Sequence, residues 1–394
     1  MSPPEATILS ELQKSVVSDS RPRILVSAGA GSGKTRLLVA YFVQALLEER
    51  VPAEQLVAVT FTRKAAGELV ERIRTELRAR GRPDLAWSLD AAPIGTIHSL
   101  CRRLIKERAL EAGVDPACAV LEEEAAALLK EEVSRQAWES VVEQADEAEL
   151  DILARRGEGL HRLVMPLYNQ LRGMGWEAPC LDIAPGEGEE VARSRLVAEI
   201  GAALAAAADL ERRTPTLQTD LGKLQSCLTW LEAAASQPAT TAEEIETALA
   251  ETAGFFPSRR TPSIEPAFEP VREALSAYRC ALAEKRLRPL AGAMNRLLEE
   301  FHRRYEARKM EGGLLDFADL ELRARALVAG GHGDRRGGGQ GASPGATGGN
   351  VPDPVMPGSR VLIDEFQDTN ELQCSILEGL GASRLLMVGD ERQS

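Results

Sequence analysis

A glycine-rich segment near the N-terminus, AGAGSGKT at residues 28–35, carries the residue types that bind phosphate groups. It lies between an apolar run and a stretch whose apolar residues have helical spacing. A helix N-terminus offers unpaired N–H groups and a partial positive charge, and glycines let the backbone approach phosphates closely. Lys34 is expected to reach the β- and γ-phosphates, and the Thr35 hydroxyl to coordinate Mg²⁺. The predicted nucleotide-binding residues are Ala28, Gly29, Ala30, Gly31, Ser32, Gly33, Lys34 and Thr35, with Ala28 in the place of the usual first glycine.

Two adjacent carboxylates follow an apolar run in the segment VLIDEFQDTN at residues 361–370. Such a pair can supply a metal ligand and a general base on the side of the phosphates opposite the phosphate-binding loop. Asp364 is expected to hold Mg²⁺, directly or through water, and Glu365 to orient and deprotonate an attacking water. Because water is the acceptor, the pattern favours hydrolysis of a nucleoside triphosphate over transfer to a substrate hydroxyl. A P-loop kinase is a more distant alternative.

Five short apolar runs alternate with helical patterns. The strands and helices that they predict would position the candidate residues described above. The runs are RILVSA (23–28), QLVAVTF (55–61), PIGTI (93–97), RVLIDE (360–365) and RLLMVG (384–389). Continuous apolar strands that alternate with helices indicate a parallel sheet covered on both faces. The sequence therefore predicts an α/β fold.

The middle of the chain has a different composition, rich in alanine, leucine, glutamate and arginine. We interpret residues 113–310 as a large all-helical insertion between two parts of the α/β domain, residues 1–112 and 311–394. Residues 330–350 contain ten glycines in 21 positions. Such a segment buries too little apolar surface to offset its ordering entropy, so residues 329–358 are predicted to form a disordered loop.

Overall composition is that of a globular protein, with 44% hydrophobic and 27% charged residues. No apolar run approaches the ~18 residues needed to span a bilayer, and the N-terminus has no signal-peptide pattern, so we expect a cytoplasmic protein with no membrane association. The six cysteines are scattered without paired spacing, which argues against structural zinc, iron–sulfur clusters and a disulfide framework.

The net charge is −13, yet residues 60–110 carry eleven Lys and Arg against six Asp and Glu. Binding depends on local potential, so this basic stretch could meet the phosphates of a nucleic acid. The alternative is an ordinary solvated helix face.

Seven segments occur in a fixed order along the chain, and together they resemble the successive motifs of one family. They are LSELQKSVV, SAGAGSGKTR, AVTFTRKAAGELVERI, GTIHSLCRRLI, LLDFADLELRA, VLIDEFQDTNELQ and LMVGDERQS. The set looks like the motifs of the UvrD/Rep-like superfamily 1 DNA helicases. The run IGTIHSLCRRLIKERALEAGVDP is most similar to the RecB/AddA-type branch, whose members are helicase–nuclease subunits of DNA repair and recombination.

The resemblance implies a P-loop RecA-like parallel-sheet domain with a large all-helical insertion, with ATP and Mg²⁺ as cofactors. It implies that Gln13 reads adenine, that Arg36 lies near the nucleotide, and that Gln393 senses the γ-phosphate. Single-stranded DNA is expected to contact Thr60, Phe61, Thr62, Lys64, Thr96, His98 and Ser99. Hydroxyls and a lysine suit phosphate oxygens, and Phe61 could stack on a base. Threonines at strand ends also cap helices, so a structural role for them stays open.

We therefore expect the N-terminal, ATP-binding part of an ATP-dependent DNA helicase that unwinds duplex DNA and travels 3′ to 5′. The second RecA-like domain and the nuclease domain of this family have no counterpart in the sequence, so we expect this chain alone to hydrolyse ATP very slowly and not to cut DNA. A nuclease or helicase subunit is expected as a partner. One alternative is a truncated ATP- and single-stranded-DNA-binding module without helicase turnover. The other is a non-functional truncation.

Overall fold

The computed structural model describes residues 9–29, 31–182, 186–208, 215–236, 265–330 and 355–390. The strands in these ranges are β1 (Arg23–Ser27), β2 (Leu56–Thr60), β3 (Ile94–Thr96), β4 (Ala119–Val120), β5 (Leu314–Leu315), β6 (Arg360–Ile363) and β7 (Arg384–Gly389). The helices are α1 (Glu11–Val17), α2 (Lys34–Leu47), α3 (Arg63–Ala79), α4 (Ile97–Glu107), α5 (Glu123–Gln144), α6 (Glu147–Gly173), α7 (Glu189–Ala208), α8 (Pro215–Ser236), α9 (Glu265–Glu311), α10 (Phe317–Val328) and α11 (Glu371–Gly379).

Five strands form one parallel sheet in the order β1-β7-β6-β2-β3. The central strands β2 and β6 are buried along their whole length, which explains why their sequences are continuous apolar runs. Strand β1 lies at one edge and alternates between buried and more exposed residues. The predicted α/β class with a parallel sheet is confirmed.

The two faces of the sheet each carry a hydrophobic core. Leu56 and Ala58 of β2 belong to one core, together with residues of α2 and α3. Val57 and Val59 belong to the other, together with residues of α4, α10 and α11. Successive residues of a strand point to opposite faces, so a single strand contributes to both layers and fixes the sheet between them.

All five strands of this sheet end at the same edge, because they are parallel. The segments that follow their carboxyl ends hold most of the predicted site residues: 28–29 and 31–36, 61–64, 97–99, 364–365, and 390. Ligands of open α/β sheets bind outside the carboxyl ends of the strands. The fold therefore gathers at one edge residues that are far apart in sequence.

A second, two-stranded parallel sheet pairs β4 with β5. It joins Ala119 and Val120 to Leu314 and Leu315, and so connects the chain just before α5 to the chain just after α9. The sequence pattern did not predict it, since two residues are too few to form a recognisable apolar run.

The chain divides into two compact units. Unit 1 comprises residues 1–138, 162–179 and 299–394, and unit 2 comprises residues 139–161 and 180–298. These boundaries differ from the interpretation of 113–310 as one insertion. The difference arises because helices α5, α6 and α9 each contain residues of both units, so that parts of the expected insertion pack with the α/β domain.

Among the described residues of unit 2, the secondary-structure elements are all helices. Its core contains Ala192, Leu196 and Ile200 of α7, Leu231 of α8 and Tyr278 of α9. No described helix is long and apolar enough to cross a membrane. The interpretation of residues 329–358 as a disordered loop falls mainly on residues 331–354, which lie outside the described ranges.

Unit 1 contains a buried group of charged side chains on α6, α9 and α10. Lys309 is 2% exposed, and its Nζ lies 2.5 Å from Asp319 Oδ2. Arg172 reaches Asp319 Oδ1 at 2.6 Å, and the Tyr305 hydroxyl donates to Asp316 Oδ2 at 3.0 Å. Asp316 and Asp319 also form the reciprocal capping box of α10. Removal of one partner from such a group leaves an uncompensated charge inside the protein.

Replacement of Lys309 by methionine is expected to lower the free energy of unfolding by about 3 kcal/mol, since Asp319 loses one of its two cationic partners inside the core. Urea unfolding followed by far-UV circular dichroism measures the change. The control is Lys14→Met, because Lys14 forms an exposed ion pair with Glu11 and such pairs contribute about 1 kcal/mol or less. Equal effects of the two substitutions would contradict the role assigned to the buried group.

Candidate functional site

The predicted phosphate-binding loop connects β1 to the N-terminus of α2. Gly33 is the N-cap of α2 and has a φ of 88°, and Gly31 has a φ of 77°. Residues with a side chain are strained in this left-handed region, so these two positions favour glycine. The Ala28 N–H donates to the Gly389 carbonyl at 2.9 Å, which ties the start of the loop to the end of β7. Ala30 lies outside the described residues.

Gln13 lies against this loop, although it is 20 residues away from Gly33 in the sequence. Its side chain completes the capping box of α1 with Ser10. Its Nε2 lies 3.4 Å from the carbonyl oxygens of both Ser32 and Gly33. The structure therefore brings Gln13 to the phosphate loop, and its role in reading adenine stays a prediction. In the first turn of α2, Thr35 is half-buried and Arg36 is exposed.

Asp364 and Glu365 follow β6 directly and face the phosphate loop. Lys34 Nζ lies 2.6 Å from Glu365 Oε2, so the predicted phosphate-binding lysine and the predicted general base form one ion pair. The Asp364 N–H donates to the Val59 carbonyl at 2.9 Å, which extends the β6–β2 pairing by one residue. Glu365 has a φ of 52°, an uncommon conformation for a residue other than glycine. This turn directs the Glu365 side chain to Lys34.

The two carboxyls have opposite pKa shifts. Burial, together with the neighbouring charge of Glu365, raises the pKa of Asp364. Burial also acts to raise the pKa of Glu365, but the hydrogen bond from Gln367 and the contact with Lys34 outweigh it and lower that pKa. Glu365 is thus kept ionised, as a group that accepts a proton must be.

The donor set agrees with the predicted cation site. Mg²⁺ in nucleotide sites is usually held by one or two carboxylates together with the phosphates. The half-buried carboxyl of Asp364, whose pKa is raised in part by a like charge, is the kind of group that a divalent cation stabilises in its ionised form. Thr35 and Asp364 therefore remain the predicted Mg²⁺ ligands.

Gln367 is a site residue that the sequence-based predictions missed. Its Nε2 donates to Glu365 Oε2 at 2.9 Å, and its Oε1 accepts from the Asp390 N–H at 3.0 Å. It therefore connects the predicted general base to the segment that follows β7. The signal was present in DEFQDTN, where the amide stands two residues after the carboxylate, but a lone amide has no characteristic spacing. Gln393 lies outside the described residues.

The hydroxyls predicted to contact DNA all take part in local structure. Thr60 is 2% exposed, and its Oγ1 donates to the Thr62 carbonyl at 3.0 Å. Thr62 and Thr96 are the N-caps of α3 and α4. The Ser99 hydroxyl donates to the Thr96 carbonyl at 2.6 Å. Helix capping and turn formation therefore account for these residue types, and the DNA contacts stay a prediction.

Aromatic side chains line a cavity of about 640 Å³ at the same edge of the sheet. Phe61 is 68% exposed, and the His98 ring stacks on Phe317 with centroids 4.4 Å apart and an interplanar angle of 20°. The cavity also reaches Asp364 and Glu365. The structure thus brings Phe61 and His98 close to the predicted hydrolytic residues. Phe317 was not predicted, since its place after β5 gave no local signal.

A neighbouring cavity of about 450 Å³ continues the first one and shares Phe61, His98 and Phe317 with it. It is also lined by Arg63 and Arg102. We call the two cavities together the strand-end groove. Exposed rings beside arginines suit single-stranded nucleic acid, although acidic side chains also line the groove and Arg63 pairs with one of them, Glu122, at 3.1 Å. Lys64 is exposed in the first turn of α3, directly after Arg63.

Comparison with known proteins decides the family. A family model described as the UvrD/REP helicase N-terminal domain matches residues 9–394. The chain belongs to this family. The resemblance based on the seven sequence segments is therefore confirmed, and the UvrD/REP match includes both compact units.

Two similar proteins are each named as a subunit of an ATP-dependent helicase/nuclease. The protein from Pelotomaculum thermopropionicum is 28% identical over 94% of this chain and 33% of its own length. The protein from Heliobacterium modesticaldum is 29% identical over 94% of this chain and 31% of its own length. This UvrD/REP chain spans about a third of the length of these curated relatives.

Substitution of Gly389 by alanine tests the contact between β7 and Gln367. A Cβ at this position would lie 2.7 Å from Gln367 Oε1, so the amide would have to move and leave the Asp390 N–H without its acceptor. We expect the free energy of unfolding to fall by about 1–3 kcal/mol, measured by urea unfolding.

Gly67→Ala is the matched control for Gly389→Ala, because a Cβ at Gly67 meets nothing within 4 Å and Gly67 lies inside α3. Alanine is favoured over glycine there by about 0.5–1 kcal/mol. The contact would be refuted by a Gly389→Ala protein that is as stable as the unmodified chain.

Proposed function

We propose that this chain is the ATP-binding domain of a DNA helicase, which hydrolyses ATP to move along single-stranded DNA and unwind the duplex in repair or recombination. The observation that carries the proposal is the 2.6 Å contact between Lys34 and Glu365, at the strand edge of a UvrD/REP-family chain. The names of the two relatives, which describe parts of an ATP-dependent helicase/nuclease, support it.

The Lys34–Glu365 pair suggests how ATP would start the reaction. The phosphates of ATP carry more negative charge than one carboxylate, so Lys34 would leave Glu365 for the β- and γ-phosphates. Loss of this cation removes one of the contacts that lower the pKa of Glu365. Glu365 would then be a stronger base, free to accept a proton from water, while Gln367 keeps its orientation.

The first turn of α2 and the end of β6 would hold the cation and the phosphates. Thr35 and Asp364 would hold Mg²⁺, which neutralises charge on the phosphates when it is bound. The backbone N–H groups at the start of α2 point to where the phosphates would lie. Gln13, held against the loop, would contact the adenine, as the family resemblance implies.

Single-stranded DNA would occupy the strand-end groove. Bases would stack on Phe61 and on the His98–Phe317 pair, since stacking on aromatic rings tolerates any sequence. Arg63, Lys64 and Arg102 would meet backbone phosphates. Travel from 3′ to 5′ and a second RecA-like domain that closes over the nucleotide are taken from the family resemblance alone.

A partner chain is proposed because both relatives are named as one subunit of a helicase/nuclease. The cytoplasmic location stays an expectation from composition.

A second candidate function is ATP-dependent binding of single-stranded DNA without turnover. The observation that favours it is again the Lys34–Glu365 contact, because a glutamate paired with a lysine does not activate water. The two functions differ in whether nucleotide binding releases Glu365.

Two substitutions separate nucleotide binding from turnover. Lys34→Ala is expected to abolish binding of a fluorescent ATP analogue, since the phosphates lose their cation. Glu365→Gln is expected to keep binding and to lower oligo-dT-stimulated ATP hydrolysis by about 10²–10⁴-fold, the usual contribution of a general base. Both are measured on the purified chain with Mg²⁺.

Glu378→Gln is the control, since Glu378 forms an exposed ion pair with Arg23 and lies on α11 of the same unit. Nucleotide binding that survives Lys34→Ala would refute the phosphate-loop assignment. Nucleotide binding without turnover by the unmodified chain would favour the second candidate function.

Phe61→Ala tests the strand-end groove. We expect it to weaken binding of a fluorescein-labelled oligo-dT by about 1–3 kcal/mol, the usual contribution of base stacking on one aromatic ring. Fluorescence anisotropy measures the dissociation constant. Trp87→Ala is the matched control, because Trp87 is an aromatic residue that is 82% exposed but does not line the groove. Equal losses from the two substitutions would contradict the assignment.

A further inference from the structure

Glu321 is a buried carboxylate between the nucleotide side and the groove side of unit 1. It lies on α10 and is 5% exposed. One of its oxygens, Oε1, lies 3.0 Å from His98 Nε2 and 2.7 Å from Gln373 Nε2. His98 follows β3, and Gln373 is in the first turn of α11. A single carboxylate oxygen thus connects the segments that follow two different strands of the sheet.

On the groove side, α10 holds the His98 ring in two ways. Phe317 stacks on the ring face, and Glu321, one helical turn later on the same face of α10, places its Oε1 3.0 Å from Nε2. An ionised carboxylate can only accept hydrogen bonds, so the contact favours the tautomer of His98 that carries its proton on Nε2.

On the nucleotide side, Gln373 lies in the first turn of α11 and is hydrogen-bonded to Asn370, at the end of the turn that begins with Asp364 and Glu365. Its backbone N–H donates to Asn370 Oδ1 at 2.8 Å, and its Oε1 accepts from the Asn370 N–H at 3.4 Å. Within the same turn the Thr369 hydroxyl donates to the Phe366 carbonyl at 2.6 Å. Hydrogen bonds thus connect the residues after Glu365 to Gln373, and through it to Glu321.

We infer that Glu321 is a positioning residue that couples nucleotide binding to the nucleic-acid groove through His98. This inference rests on the proposed function. When Lys34 leaves Glu365 for a phosphate, the turn at residues 364–370 changes its contacts, and Gln373 changes with it. Because Gln373 Nε2 and His98 Nε2 lie against the same oxygen of the buried Glu321 carboxylate, a shift of Gln373 alters the contact that holds His98, and an unpaired buried group is unfavourable.

The coupling is measured as the ratio of two dissociation constants for a fluorescein-labelled oligo-dT, without and with Mg²⁺ and the ATP analogue AMP-PNP. Couplings between sites commonly change affinity by about 5- to 150-fold. Glu321→Met removes the acceptor and is expected to bring the ratio to within about twofold of one. Glu321→Gln keeps an oxygen that can accept both hydrogen bonds and is expected to retain most of the ratio. Glu378→Gln is the control.

Gln373→Leu removes the hydrogen bond between Gln373 and Glu321. It is expected to reduce the ratio as Glu321→Met does, and it carries the test if Glu321→Met does not fold. Affinity for AMP-PNP alone is expected to stay within about twofold of that of the unmodified chain, because neither substitution touches the phosphate loop.

Nitrogen-15 NMR of the imidazole rings gives a readout independent of turnover and of DNA. The chain has four histidines, and His98→Gln identifies the signals of His98. We expect a protonated Nε2 in the unmodified chain and a mixture of tautomers in Glu321→Met.

The outcomes distinguish the inference from the proposed function. Failure of the unmodified chain to bind AMP-PNP or oligo-dT would overturn the proposed function, and the coupling with it. Intact binding with a ratio of one, or with a ratio unchanged in folded Glu321→Met and Gln373→Leu, would overturn the coupling alone. So would an unprotonated Nε2 of His98 in the unmodified chain.

Discussion

The parallel pairing of five strands is the constraint on which the rest of unit 1 depends. All five strands run in the same direction, so the carboxyl end of every strand lies at one edge of the sheet. The predicted phosphate loop, the Asp364–Glu365 pair, the aromatic rings of the groove and the Gln367 contact all lie within a few residues of a strand end. Helices on both faces bury the sheet and keep this edge free for ligands. Functional groups as distant in sequence as those of Gln13 and Asp390 are thereby brought to one edge of the sheet.

The predicted reactive groups satisfy one another. Lys34 contacts Glu365, Gln367 donates to the same carboxylate, and the Asp390 backbone completes the chain. A half-buried lysine and carboxylate would each be unfavourable if left unpaired, so the ion pair stabilises this edge of the sheet.

The sequence predicted what depends on local pattern and missed what depends on tertiary packing. Lys34 and Glu365 could be proposed because a glycine-rich loop and a strand that ends in carboxylates are recognisable from neighbouring residues, and the structure brings the two side chains together. The parallel sheet followed from continuous apolar runs. Gln367 and Glu321 were missed because a single amide or carboxylate in a helix or turn looks like any polar residue until its partners are known. The limits of the two units differ from the predicted bounds of the insertion because α5, α6 and α9 continue through them, and a buried contact such as that of Tyr305 with Asp316 packs the end of α9 with unit 1.

The threonines at the strand ends have a consequence for how this surface can vary. Thr62 and Thr96 each accept a backbone N–H with the same hydroxyl that was expected to face DNA. Alanine at either position would remove a cap that typically contributes about 1 kcal/mol, so a loss of binding after such a change would mix folding with recognition. Serine keeps the hydroxyl and removes only a methyl group. Variation among relatives at these two positions should therefore be restricted to small residues that can cap a helix, whatever nucleic acid they meet.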